Sequence, residues 1–252
     1  MLGAVWSLLN PIVFLAVFSF VVSVLRAGIP DYPIFLLSGL LPWAFFSASA
    51  QAGARSVIEH ANLVKKVAFP RELLPLSSVG VALFDLLLQS TVLWVAIAVS
   101  GHGFRAHALW LYPLSFAVLV VWTLALTFWV SAMNVRYRDV GHLLNVGLLV
   151  WFWLTPIVYQ AHLVQERLRA TSILGLDLWT LYVANPLATI VLGFQRALYA
   201  VVVPAGGEPV LPTEPLSWHA AWLGALLVVS LGLLFLAWRS FFHRSGDFAE
   251  EL

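Results

Sequence analysis

The sequence predicts an all-α fold: a six-span polytopic membrane helix bundle with a re-entrant, periplasmic helical segment before the last span. Three observations carry this. The 252 residues are 62% hydrophobic and 10% charged, against about 25% charged in soluble domains. Six apolar runs approach the roughly 20 residues needed to cross a hydrocarbon core. The lysines and arginines between those runs favour alternate loops, which sets an orientation.

The runs follow in order. Residues 8–25 form the first, opened by Asn10-Pro11, an Asn cap followed by a proline that suits a helix start. No basic n-region or small-residue cleavage site precedes it, so it reads as a retained span. Residues 34–50 form the second, where Gly39 and Pro42 predict a kink or break. The third covers 73–99, the fourth 109–133, the fifth 143–159 and the sixth 218–242. Residues 178–203 are apolar enough for another span, but they contain Asn185-Pro186 and Arg196. A seventh crossing would also place Arg239 and Arg244 on the wrong side. Short helices that dip into the outer side without crossing are expected instead. Irregular backbone at membrane depth needs a cover of protein or water, so 178–203 is expected to line a cavity mouth, within a periplasmic or re-entrant segment 160–216.

The loop after the second run holds Arg55, Lys65, Lys66 and Arg71, and the loop after the fourth holds Arg136 and Arg138. The loops after the first and third hold only Arg26 and Arg105. Both termini and the two basic loops are therefore expected in the cytoplasm. Arg167, Arg169 and Arg196 in the long outer segment weaken the bias, but long segments obey it less strictly.

Several function classes fall away. A net charge of +1 leaves no footprint for nucleic acid. With no cysteine there are no disulfides, thiolate metal sites or Cys nucleophiles. The seven histidines show no familiar metal-ligand spacing. No metal, cofactor or catalytic residue is expected, and no G-x-x-x-x-G-K-[ST] string binds ATP in this chain.

The most informative stretch is the polar insert Asn62-Leu63-Val64-Lys65-Lys66-Val67-Ala68-Phe69-Pro70-Arg71-Glu72. Glu59 to Val67 reads as a short helix of mixed charge, and Phe69-Pro70 ends it, because the residue before a proline is pushed out of the α region. Such an insert between two spans offers a docking surface to a soluble partner. Basic side chains would steer the partner and Phe69 would anchor it. The plainer reading is that the basic residues satisfy topology and anionic lipid.

The strings Leu2-Gly3-Ala4-Val5-Trp6-Ser7-Leu8-Leu9-Asn10-Pro11, Asn62 to Glu72 with Leu74-Pro75-Leu76-Ser77, and Asn134-Val135-Arg136-Tyr137-Arg138-Asp139 occur in that order. Thr155-Pro156-Ile157-Val158-Tyr159, Asn185-Pro186-Leu187 and Phe248-Ala249-Glu250-Glu251-Leu252 follow. Together they resemble the membrane subunit of ABC-2 type exporters of polysaccharide or polyol-phosphate, which move O-antigen, capsule or teichoic acid polymers. The resemblance spans nearly the whole chain. It implies a homodimer in a bacterial inner membrane, each copy paired with a cytoplasmic ABC ATPase that binds ATP and Mg²⁺, and a lipid-linked glycan as substrate. One departure stands at the start. The family usually opens with a longer basic amphipathic segment on the inner surface, whereas Met1 here directly precedes Leu2-Gly3.

By that resemblance residues 55–72 form the coupling segment. Glu59, Asn62, Lys65, Lys66, Phe69, Pro70, Arg71 and Glu72 are its candidate ATPase contacts, with Arg136, Arg138 and Asp139 as a second contact or, equally, a positive-inside anchor with a local ion pair. Asp85 is costly at bilayer depth, by about 2.5–3.5 kcal/mol on insertion scales. With Gln89 one turn on, it either borders the transport route or forms an interhelical hydrogen bond. Trp151, Trp153 and Tyr159, with Phe152 among them, offer flat faces past which sugars could slide, or else pack against lipid. Trp110, Trp218 and Trp222, and at the other end Trp6, Trp129 and Trp238, fit interfacial belts. Rival readings are a permease for a drug or small lipid, and a membrane-embedded glycosyl- or acyltransferase using Asp85 with a histidine. The enzyme would need polar groups converging on one membrane face, which scattered histidines do not supply.

Overall fold

The computed structural model describes residues 9, 12, 13, 16, 17, 20, 29–102, 106–169, 172, 173, 176–203, 207 and 209–251. The span expected at 8–25 lies outside the described residues, apart from six isolated helical positions. Among the described residues, four helices are long and apolar enough to cross a membrane. They are α1 (Tyr32–Glu59), α3 (Leu73–Ser100), α4 (Leu111–Arg136) and α9 (Leu216–Ser245). Between and after them lie the short helices α2 (Ala61–Lys66), α5 (Val140–Trp153), α6 (Ala161–Arg169), α7 (Leu178–Val183), α8 (Pro186–Leu198) and α10 (Phe248–Glu251). Two-residue strands, Ser172–Ile173 and Leu176–Asp177, pair antiparallel between α6 and α7.

Helix α1 is the axis of the bundle and packs against α3, α4, α5 and α8. It runs unbroken through Pro42, where the sequence predicted a kink or break. The reason is enclosure: 78% of its apolar window is buried, and neighbouring helices can support a proline-interrupted ladder. Small residues let the backbones approach. A Cβ on Gly53 would stand 2.1 Å from Thr127 of α4, and one on Gly193 of α8 would stand 2.3 Å from Ser115 Oγ. Close packing through small residues is how helices associate where lipid is as apolar as leucine.

The fifth expected span, 143–159, is only partly a helix. Helix α5 stops at Trp153, and its 14 residues reach about 21 Å, short of a core of about 30 Å. Pro156 ends it, by removing an N–H and restricting Thr155. The irregular backbone that follows is met by side chains from elsewhere. Gln195 Nε2 donates to the Pro156 carbonyl at 2.9 Å, Asn185 Nδ2 to that of Leu154 at 3.3 Å and the Tyr32 hydroxyl to that of Val158 at 3.3 Å.

Helix α8 starts at Asn185, whose side chain caps Leu187 N and accepts from Trp151 Nε1 of α5. It ends beside Tyr199, whose hydroxyl donates to the Pro30 carbonyl at 2.9 Å. His102 sits under that ring and bonds the Tyr199 carbonyl and the Asp31 carboxylate, each at 2.7 Å. Within 178–203, where a pair of short helices was expected, lie α7 and α8, with α6 and the small ladder before them. At the opposite end a second apolar cluster gathers Val57, Val64, Leu74, Phe128, Val135, Phe241 and Phe248.

Candidate functional site

The insert after α1 folds around one buried side chain. Helix α1 continues to Glu59, nine residues past the expected end of the second run, and His60 separates it from α2. The expected helix from Glu59 to Val67 is therefore the shorter Ala61–Lys66, and Glu59 belongs to the last turn of α1, paired with Arg55 at 3.6 Å. A six-residue helix has no stability of its own in water. Its hold is Val64, which enters the cluster shared by α1, α3, α4, α9 and α10. Asn62, Lys65, Lys66 and Pro70 face outward, while Arg71 and Glu72 are half-buried at the start of α3.

Phe69 is half-buried against the chain's own cluster. The apolar side chains presented outward are Leu63, 41% exposed, and Val67, 51% exposed. Sequence reading missed this pair. Its signal was the i, i+4 spacing that places Leu63 and Val67 together when Val64 points inward.

The second basic loop is organised by Asn134, buried at the end of α4. Its Nδ2 donates to the Ala54 carbonyl of α1 at 2.7 Å, and its Oδ1 accepts from Gly141 N of α5 at 2.9 Å. One amide thus joins three helices. Arg136, Arg138 and Asp139 are exposed, and among the described residues no ion pair links either arginine to Asp139. Arg136 lies over the Tyr137 ring. Arg138 borders a cavity of about 290 Å³ between α1 and α5, together with Arg55 and His142.

Above that cavity runs a groove of about 710 Å³, lined by Trp43, Leu148, Leu149 and Phe152, with Gln51, Gln89 and Asn145 as polar members. Gln89 lines this groove, and Asp85, one turn earlier, is half-buried. The expected aromatic trio divides. Trp151 is half-buried edge-on to Phe46 and bonded to Asn185 at 2.7 Å. The Tyr159 hydroxyl contacts the Trp153 carbonyl and the Tyr182 hydroxyl. Trp153 is 59% exposed. The aromatic rings on the groove are Phe152, a member of the cluster read from the fifth run, and Trp43, which sequence reading did not single out. Gln51 and Asn145, polar residues within or beside apolar runs, were the available signal.

Beyond α5, local caps order the short helices that follow. Thr180, through its side chain and its backbone N–H at 2.8 Å, hydrogen-bonds the Asp177 carboxylate and holds it below its usual range. Burial pushes the Tyr182 hydroxyl up, and Tyr159 adds to that. Among the described residues no cluster of three or more metal-ligating side chains occurs.

Residues 1–199 match the family described as ABC-2 type transporter. Over all 252 residues the chain is 31% identical to the O-antigen export system permease protein RfbA of Myxococcus xanthus and covers 88% of that relative. It is 32% identical over 196 residues to a Klebsiella pneumoniae protein of the same name, a match to 77% of this chain and 72% of the relative. A further Klebsiella pneumoniae RfbA is 30% identical over 195 residues, again 77% of this chain, and 71% of the relative.

Proposed function

This chain belongs to the ABC-2 type transporter family, and we propose that it is the membrane-spanning subunit of an ATP-driven exporter of lipid-linked polysaccharide. The observation that carries the reading is the 31% identity, over the entire chain, to a permease named for O-antigen export. The chain is a transport subunit. ATP and Mg²⁺ belong to a separate cytoplasmic ATPase, and the active assembly holds two copies of this subunit.

In this reading α2 and the loop before α5 face the cytoplasm of a bacterial inner membrane. The exposed Leu63 and Val67 enter a groove of the ATPase, while Lys65 and Lys66 steer it. Arg71 and Glu72 brace the turn into α3, and Asn134 carries motion of α1 and α4 to α5. The chain crosses six times, with both termini inside. The fifth crossing is α5 completed by residues 154–159, whose carbonyls are met by Gln195, Asn185 and Tyr32 as a lipid-embedded segment requires. Helix α8 is the re-entrant element. Its near-complete burial supports that role, since a helix enclosed on every side lines or plugs a route rather than facing lipid.

Deletion of the subunit tests the transport reading. Lipid-linked polymer is expected to accumulate on the cytoplasmic side while surface glycan disappears. Unchanged surface glycan in the deletion strain refutes the reading. Single cysteines placed in this cysteine-free chain test the topology with an impermeant thiol reagent. Labelling at Lys65→Cys in intact cells, or none at Ala205→Cys, overturns the six-span arrangement.

A further inference from the structure

Helices α4 and α9 pack along each other and leave between them a groove of about 400 Å³, separate from the spaces beside α5. Trp122, Ala125 and Trp129 line it from α4, and Leu236, Ala237 and Ser240 from α9. These positions recur at three- and four-residue steps, so each helix offers one face. Ala125 and Ala237 are small and buried, which is what keeps the groove open.

Its polar groups gather at one end. Ser230 and Ser245 on α9 return their hydroxyls to the carbonyls of Leu226 and Phe242, at 2.6 and 2.7 Å. Ser240 lines the groove, and among the described residues its hydroxyl makes no such bond. One turn on, Arg244 reaches across to α4, where its Nη1 donates to Met133 Sδ at 3.1 Å. A thioether is a weak acceptor, so this contact aims the guanidinium over the groove's end without neutralising it. Among the described residues no carboxylate pairs with Arg244 or with Arg136, which follows Met133 on α4. Asp247, the next carboxylate along the chain, is exposed and forms no ion pair with Arg244.

The order of these groups carries the inference. Arg244, Ser240 and the apolar wall succeed one another at steps of one turn, about 5–6 Å. Phosphate, ester and acyl chain succeed one another in the same order in a glycerophospholipid. From Arg244 to Leu233 the groove face runs roughly 16 Å, about half of a hydrocarbon core of about 30 Å, so it serves one leaflet. In the six-span orientation proposed above, the arginine end meets the inner surface, where anionic lipid gathers.

We propose that this groove holds one anionic glycerophospholipid of the inner leaflet, with Arg244 and Arg136 on its phosphate, Ser240 donating to an ester carbonyl and an acyl chain between Trp122 and Trp129. The proposal rests on that orientation and concerns a resident lipid, not the exported glycan. Ala237 belongs both to the groove and to the cluster that seats α2, so the bound lipid braces α4 against α9 beside that seat.

The test uses the subunit purified with its ATPase and exchanged into detergent, with phosphatidylglycerol as the probe and retained lipid read by native mass spectrometry. Phosphatidylglycerol is expected to bind, and phosphatidylcholine and phosphatidylethanolamine of the same chains to bind at least fivefold more weakly. Glycerol 3-phosphate should not compete. Arg244→Gln is expected to weaken probe binding about fivefold, and Arg244→Lys to recover part of the loss, because the charge remains while the fork does not. Ser240→Ala should weaken it about threefold. Arg239→Gln removes the same charge from the same helix at a position turned about 100° from Ser240, and should bind as the parent does. Should Arg244→Gln fail to accumulate, Ser240→Phe, which fills the groove, carries the test with an expected loss of at least fivefold. Undiminished binding in the Arg244 and Ser240 variants overturns the proposal. So does a zwitterionic lipid held as tightly as the probe, which would mark an unselective lipid contact, or glycerol 3-phosphate competing, which would mark a free-phosphate site. None of these outcomes touches the exporter reading, which fails only if surface glycan survives loss of the subunit, and cysteine labelling tests the orientation separately.

Discussion

The two ends of the bundle are held by different forces. At the α8 end, irregular backbone is fixed by long-range polar contacts. Gln195 reaches Pro156, Tyr199 reaches Pro30, Tyr32 reaches Val158, and His102 joins Asp31 to Tyr199. At the α2 end the fixing is apolar: Val64, Phe241 and Phe248 share one cluster beneath a charged, exposed surface. On the six-span reading proposed above, the difference follows from the solvent. Backbone that leaves a helix at membrane depth finds no water, so each carbonyl needs a protein donor. Backbone at an aqueous end is solvated and needs only an apolar seat to keep its place. A short helix seated this way, as α2 is, can shift as a unit, whereas the α8 end resists movement bond by bond.

The sharpest way to break this comparison is to remove the seat. Phe248 is 1% exposed and lies edge-on to Phe241 at 5.3 Å, and α10 lies against α2. Phe248→Ala is expected to cost about 3–5 kcal/mol within that cluster. Because the four long helices retain their own core, the loss should fall on α2: ATPase co-purification should drop much further than subunit abundance, and Phe248→Leu should restore most of it. A fall in co-purification only proportional to abundance would show that α2 does not depend on this seat.

Gln195→Leu probes the opposite end. The side chain is fully buried, and its amide donates to the Pro156 carbonyl at 2.9 Å. Leucine fills similar space but leaves that carbonyl without its donor, at a cost of about 1–3 kcal/mol. Thermal stability of the detergent-solubilised subunit should fall while ATPase binding at the far end is kept. An unchanged melting temperature would mean that water reaches the break in α5.

Much of this was legible in the sequence because lipid imposes simple rules. The long helices α1, α3, α4 and α9 coincide with apolar runs, and the fifth run breaks where Pro156 stands. What could not be read was which face of a short element points inward. In the insert, Phe69 looked like the outward anchor because it is the largest apolar side chain there, yet it packs on the chain's own cluster while Leu63 and Val67 face out. Asn134 appeared only as the first letter of a basic string, since its two hydrogen bonds connect segments far apart in the chain. The groove residues Trp43 and Phe152 come from helices whose apolar residues are nearly continuous, so periodicity gave no preferred face.

A smaller effect is expected at the docking surface itself. Lys65→Glu changes an exposed charge without touching Val64. It should slow ATPase association several-fold at low salt, and the difference should shrink as ionic strength rises and the Debye length falls below about 10 Å. A defect independent of salt would mean that Lys65 makes a buried contact in the complex and does not act by steering.

The smallest effects should separate two tryptophans two residues apart. Trp151 donates to Asn185 Oδ1 at 2.7 Å and packs edge-on to Phe46, so it ties α5 to the cap of α8. Trp151→Phe keeps an aromatic ring but deletes the donor, at a cost of about 0.5–1.5 kcal/mol. Asn185 Oδ1 still caps Leu187 N, which limits the damage. Trp153 is largely exposed, with its indole edge-on to Phe152. If it faces lipid, Trp153→Ala exchanges one apolar contact for another and should leave abundance and export within experimental scatter. If it instead meets sugar in the assembled dimer, export should fall while abundance holds. Surface glycan measured against subunit abundance for both variants decides this. A selective export defect at Trp153 alone would place the substrate route along the exposed face of α5, and would make that face part of the interface between copies.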